Sequence, residues 1–144
     1  MRKNLLMLTV SSVALAFFAT SPSLADEKHD HGGGKGMSFA SVSAGIKTLD
    51  ELIAEARGKI GKGDFEGLHE TAEEVHGAAD GLAARLTDIS MENKERYKFN
   101  TEQLKSLSSQ LEEAHEAKNK DEAEKVAKRL EGVRDRLKAL APAG

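Results

Sequence analysis

The stretch "HETAEEVHGAAD", His69–Asp80, holds two histidines seven residues apart with carboxylates between and after them. On a helix, steps of four, three and four bring His69, Glu73, His76 and Asp80 into one row. Neutral imidazole and carboxylate are ligands for zinc, copper, nickel or iron. At a rise of about 1.5 Å per residue the two histidines stand about 10 Å apart along the axis. One ion therefore cannot take both closely, and the chelating pairs are His69/Glu73, Glu73/His76 and His76/Asp80. The competing reading is a polar boundary row, in which the histidines bond to the neighbouring carboxylates. Unless a second helix supplies a ligand at the same level, the boundary reading holds.

Two further features bear on metal chemistry. "EEVH" (Glu73–His76) and "EEAH" (Glu112–His115) both read Glu-x-x-His, a spacing that helical di-iron bundles use twice. With a hairpin turning near Ser90, His76 and His115 fall about 16 Å apart in height, too far for one di-metal centre. The motifs also lie on the second and third helical segments, whereas the di-iron order needs the second and fourth. His115 remains as a lone candidate. Near the start, His29 and His31 stand beside Asp26, Glu27 and Asp30 and can bind copper, nickel or zinc weakly. A soluble tail is the alternative.

These residues need helices to position them, and the chain supplies four amphipathic segments with no alternating strand pattern. The first, about Ser43 to Ile60, repeats Ile46, Leu49, Leu52/Ile53, Ala56 and Ile60. "GKGD" (Gly61–Asp64) breaks it, and Asp64 can cap the next helix. The second carries Phe65, Leu68, Ala72, Val75, Ala79, Leu82 and Leu86; His69 and His76 each come one residue after a core position. That stripe extended lands on Asn93, Arg96 and Asn100, so it fails between Asp88 and Asn93, with Ser90 a plausible cap. The third resumes at Tyr97, Leu104, Leu107, Leu111 and Ala114. After "KNKD" (Lys118–Asp121), the fourth runs Ala123, Val126, Leu130, Val133, Leu137 and Leu140, ahead of Pro142. The expected fold is all-α, an antiparallel up-down four-helix bundle. A long helical hairpin or coiled coil with flanking helices is the alternative.

Ahead of the bundle, Arg2 and Lys3 precede an uncharged apolar run, and Ser23-Leu24-Ala25 has the small-x-small form of a cleavage site. Residues 1–25 read as a secretory signal peptide cleaved after Ala25, 26–42 as a flexible His/Gly-rich tract and 43–144 as the bundle. The apolar run is shorter than the roughly 20 residues of a spanning helix, so no membrane segment is expected in the mature form. Without cysteine there is no disulfide, thiolate site or lipoprotein anchor. The part after Ala25 carries all 24 acidic residues against 19 basic ones, a formal charge of −5. With so few aromatic rings and no basic stripe, it lacks what nucleic acid requires. No glycine-framed serine, phosphate loop or nucleophile-base set is present, and no enzymatic activity is expected.

The layout resembles the soluble b-type cytochromes of the periplasm in size, acidity and charged last helix. That resemblance implies an axial methionine early in the first helix, for which Met37 is placed, and a histidine on the last helix, which this sequence lacks; no haem is expected. "HDHGGGKG" (His29–Gly36) together with "GLHETAEEVHGAADGLAARL" (Gly67–Leu86) is similar in style to small exported helical proteins linked to heavy-metal handling. That likeness implies a periplasmic protein that binds or buffers a divalent transition metal (Cu, Ni or Zn). Its candidate ligands are His69, Glu73, His76, Asp80, His115, His29 and His31. An interaction or structural module, pairing with a partner protein or with a second copy, is the alternative.

Overall fold

A computed structural model of the protein describes residues 36–143. They form four helices, α1 (Val42–Lys62), α2 (Phe65–Ala83), α3 (Lys94–Glu116) and α4 (Lys120–Leu140), with no strand among the described residues. The segment read as a signal peptide, and His29 and His31, lie outside the described residues. Among the described residues no helix is long and apolar enough to cross a membrane.

Local chemistry sets each helix end. Ser41 caps α1 by accepting from the Ala44 amide at 3.1 Å. Gly63 ends it at φ 71°, a left-handed conformation that costs glycine little. Asp64 then caps α2 through the Gly67 amide at 3.0 Å, as the sequence leads one to expect. Asn119 caps α4 through the Glu122 amide at 3.1 Å. Between α2 and α3 the chain makes two short 3-10 turns, Leu86–Asp88 and Met91–Asn93. The break between second and third segments therefore starts earlier than the apolar stripe implies, since α2 stops at Ala83 and Leu86 belongs to the turn. Ser90 precedes the second turn but makes no side-chain cap. The fastening comes from Tyr97, which is fully buried and donates its hydroxyl to the Leu82 carbonyl at 2.8 Å. That bond gives a carbonyl in the last turn of α2 a second donor, beside the Arg85 amide at 2.9 Å.

Helix α1 packs against α2 and α4, and α3 packs against the same two, so the four helices close a square. The bundle is thus the arrangement adopted, rather than a hairpin with loose flanks. Its core is one cluster in which Leu49, Leu68, Leu82, Leu104, Leu111, Leu130 and Leu137 are fully buried. Alanines 56, 72, 78, 79, 114, 123 and 127 fill the interleaving positions and let the helix axes approach. Arg57 with Glu131 and Arg134 with Asp50 tie α1 to α4 across the outside.

Four polar residues, Thr71, Asn100, Thr101 and Ser108, are buried too. Asn100 stands where the apolar stripe fails, yet both ends of its amide are used. Its Nδ2 donates to the Arg96 carbonyl at 2.7 Å, and its Oδ1 accepts from Arg136 Nε at 2.8 Å. Thr71 accepts from Lys59 Nζ at 2.8 Å. The Lys59 ammonium, hydrogen-bonded to Glu55, also holds that carboxyl below its ordinary range.

Residues 36–41 pack on the bundle instead of standing off it. The Met37 amide donates to the Gly77 carbonyl at 3.0 Å, and Met37 and Phe39 lie against the core. Glycines make room for this strap. A Cβ at Gly81 would lie 2.6 Å from the Phe39 ring and closer still to the Met37 carbonyl, and one at Gly45 would lie 2.8 Å from the same ring.

Two glycines and one tyrosine put this packing to the test. Gly81→Ala displaces the strap and is expected to lower unfolding stability in urea by about 1–3 kcal/mol. Gly58→Ala, in open space mid-helix, is expected to raise it by about 0.5–1 kcal/mol. Burial pushes the Tyr97 phenol up to about 12 from an ordinary value near 10, with the Asp88 carboxylate adding to the rise. The stability this confers is complete below the unfolded value and is lost as pH climbs through the folded one. Tyr97 is the only tyrosine, so tyrosinate absorbance reads it directly. The midpoint should lie near 12 in the native protein and near 10 in denaturant; equal midpoints would refute the buried phenol.

Candidate metal centre

The antiparallel pairing of α2 with α3 decides which polar residues meet. His69 leaves the second turn of α2 and faces the last turn of α3, where Glu112 and His115 stand one helical step apart. One ligand atom from each of His69, Glu112 and His115 lies within 4.8 Å of the others. His69 Nδ1 is paired with Glu112 Oε1. The two imidazoles stack, with centroids 5.2 Å apart and planes at 29°.

His115 is oriented from behind, since its Nδ1 meets the Phe65 carbonyl. A carbonyl only accepts, so Nδ1 carries the proton and Nε2 of the neutral ring keeps its lone pair. Histidines that ligate metals usually donate their other nitrogen in this way, so the arrangement is compatible with ligation. Glu73 stands one turn along α2, its Oε1 3.9 Å from His69 Nε2. Glu112 is largely covered, at 15% exposure, whereas the His69 side chain is 47% exposed. The cluster is anchored on α3 and open toward solvent on α2.

Two nitrogens and one oxygen suit an ion that accepts imidazole and tolerates few ligands. Zinc bonds nitrogen at about 2.0–2.1 Å in a tetrahedron, so side-chain rotation would have to draw these atoms closer. Calcium takes six to eight oxygens and is not matched by this set. The surrounding charge favours a cation. Helix α2 contains Glu66, Glu70, Glu73, Glu74 and Asp80 and no lysine or arginine, and the last turns of α3 add Glu112, Glu113 and Glu116. The cluster sits between the start of one helix and the end of another, so their dipoles offset and the side chains set the field.

The expected row on α2 divides between two levels. His69 and, at longer range, Glu73 belong to the cluster, and His115 joins them from α3. His76 and Asp80 do not. At their level α3 offers Ser108, 3.2 Å from His76 Nδ1, and Lys105, whose ammonium pairs with Asp80 Oδ1. The two Glu-x-x-His motifs therefore stay apart, as the height argument requires. Glu112 is the cluster member that the α2 row could not reveal. Its signal was the (i, i+3) step to His115, which has meaning only once α3 is known to face His69.

Comparisons with protein families, curated proteins and solved structures returned no match for this chain. The site must be judged on its own chemistry. Among the described residues a surface cleft between the end of α1 and the start of α4, lined by Arg57, Ile60, Asp121, Glu124 and Lys128, shares no residue with the cluster. Its charges are mixed, and it contains no nucleophile-base pair.

Proposed function

We propose that this protein is a non-enzymatic, exported helical bundle that binds or buffers a divalent transition metal ion, of the zinc, copper or nickel type. The single observation that carries the reading is the convergence of His69, Glu112 and His115 from two helices onto one point. The backbone-held tautomer of His115 and the acidic surroundings support it. The apolar run and Ser23-Leu24-Ala25 support export to the periplasm. Half-exposed His69 leaves one side of the ion open, which suits reversible loading.

A second reading, as an interaction module for a partner protein or a second copy, draws on two exposed apolar side chains. Met91 at the α2–α3 turn is 81% exposed and Phe99 on α3 is 57% exposed.

Calorimetric titration of the mature protein with zinc, copper or nickel tests the first reading. The expected result is saturable binding at micromolar Kd or tighter. Native-state binding should also raise unfolding stability by about 2.7 kcal/mol when free ion is a hundredfold above Kd. His69→Ala with His115→Ala should remove one equivalent of ion and the stabilisation that goes with it. Glu112→Gln should weaken that equivalent while keeping the ring pair. Binding weaker than about millimolar, or a double variant that binds as many equivalents as the parent, would overturn the reading in favour of the interaction module.

A further inference from the structure

The strap of residues 36–41 is held unevenly, and its contacts divide at Phe39. From Phe39 onward the seat is firm. The Phe39 ring lies against Gly45 and Gly81, the Ala40 carbonyl accepts from Arg85, and Ser41 caps α1. Ahead of Phe39, residues 36–38 depend on Met37. Its amide donates to the Gly77 carbonyl at 3.0 Å, and its side chain packs on the core cluster. Gly36 only skirts Asp80, where a Cβ built on it would sit 3.4 Å from the Asp80 Cβ, and Ser38 is exposed. Among the described residues, Met37 is thus the one apolar anchor of the strap's leading half.

That anchor is a thioether, apolar as it stands and open to oxidation. The described residues hold two methionines in different settings. Met91, in the α2–α3 turn, stands in solvent at 81% exposure. Met37 is half-buried, covered enough to anchor the strap, while its partial exposure leaves a small oxidant a route to it. With a peroxide, a sulfur lone pair attacks one oxygen and the O–O bond breaks. The departing hydroxide takes the remaining proton, leaving the sulfoxide and water; sulfur gives up two electrons and the peroxide gains them. The new S=O oxygen requires a hydrogen-bond donor that the thioether did not. Gly77 and Gly81, next to Met37, lie inside α2, so their amides are already used by the helix.

We infer that Met37 is a peroxide-sensitive latch, whose oxidation to the sulfoxide lifts residues 36–38 off α2 while Phe39, Ala40 and Ser41 stay seated. Opening bares the backbone of α2 between Gly77 and Gly81, and the bundle beneath remains folded. Methionine sulfoxide reductases, drawing two electrons from thiols, return the thioether and release the oxygen as water, so the latch can close again. It shares no residue with the His69/Glu112/His115 cluster, and it stands or falls apart from ion binding.

Treatment of the mature protein with dilute hydrogen peroxide tests the latch. Peptide mass mapping reports which methionine has gained an oxygen, and amide hydrogen exchange by NMR reports the strap. Met91→Leu leaves Met37 as the reacting group. Its oxidation should lower protection of the Met37 amide by about tenfold or more and shift the resonances of Gly77, Asp80 and Gly81. Protection in the middle of α3 and α4 and the helical circular dichroism should not change. Thiol-driven methionine sulfoxide reductases should restore the protection. Met37→Leu keeps an apolar anchor without the sulfur, so peroxide should oxidise Met91 and leave the strap closed. A native Met37 that resists peroxide while Met91 reacts overturns the inference. So does a Met37 sulfoxide whose amide stays fully protected, a loss of protection that spreads through the bundle, or one that reduction does not reverse.

Discussion

The register between α2 and α3 is the constraint on which the polar chemistry of this bundle depends. Tyr97 sets it. Its ring is buried in the core and its hydroxyl reaches back to the Leu82 carbonyl, so the start of α3 is fixed against the end of α2 across an irregular connection. Because both helices are continuous beyond that point, every pair further along the seam is determined by it. Asp80 meets Lys105, His76 meets Ser108, and His69 meets Glu112 and His115. A slip of one turn would move α3 by about 5.4 Å along its axis and separate all three sets. The 3-10 turns matter for the same reason. A shorter or longer connection would shift the register, whatever the apolar stripes preferred.

The core stripes alone would tolerate such a slip, since leucine and alanine recur along all four helices and volume is what a core chiefly demands. Buried polar residues add the discrimination. Asn100 needs Arg96 on its own helix and Arg136 on α4 together. Thr71 needs Lys59 of α1. An unsatisfied polar group in the interior costs about 1–3 kcal/mol, so each of these partnerships penalises an alternative packing. The strap contributes in the same way, because Gly45 and Gly81 shape a passage that only the Met37–Phe39 segment fills.

Much of this is written plainly in the residues. Steps of three and four in Ile46, Leu49, Ile53 and their counterparts expose four helices, and Gly63 and Asp64 mark one boundary to the residue. What stays hidden is whatever depends on two helices at once. Asn100 reads as a break in a stripe because its compensation comes from α4. Met37 and Phe39 read as part of a flexible His/Gly-rich tract, yet they pack on the core, because the groove that receives them is made by glycines, which leave no apolar signature. Glu112 reads as half of a Glu-x-x-His motif too far from His76 to share a centre, until His69 is placed against it. His69 and His76 look equivalent along α2, and only the facing helix makes them different.

That difference lies in what α3 places opposite each histidine. Along one seam the same α2 pattern, a histidine with a carboxylate four residues on, occurs twice and meets opposite partners. At the upper level α3 presents a carboxylate and a second imidazole, and the nearby Lys59 ammonium is held by Glu55, Thr71 and the Gly67 carbonyl instead of by Glu112. At the lower level α3 presents Lys105, whose ammonium neutralises one oxygen of Asp80 but leaves the other facing His76 Nε2. A purely structural seam would be expected to balance both levels with lysine or arginine, as Arg57–Glu131 and Arg134–Asp50 do between α1 and α4. Helix α2 has no lysine or arginine. Lysine or arginine thus pairs the carboxylates of the α1–α4 seam and Asp80 of the α2–α3 seam, whereas Glu112 meets an imidazole instead.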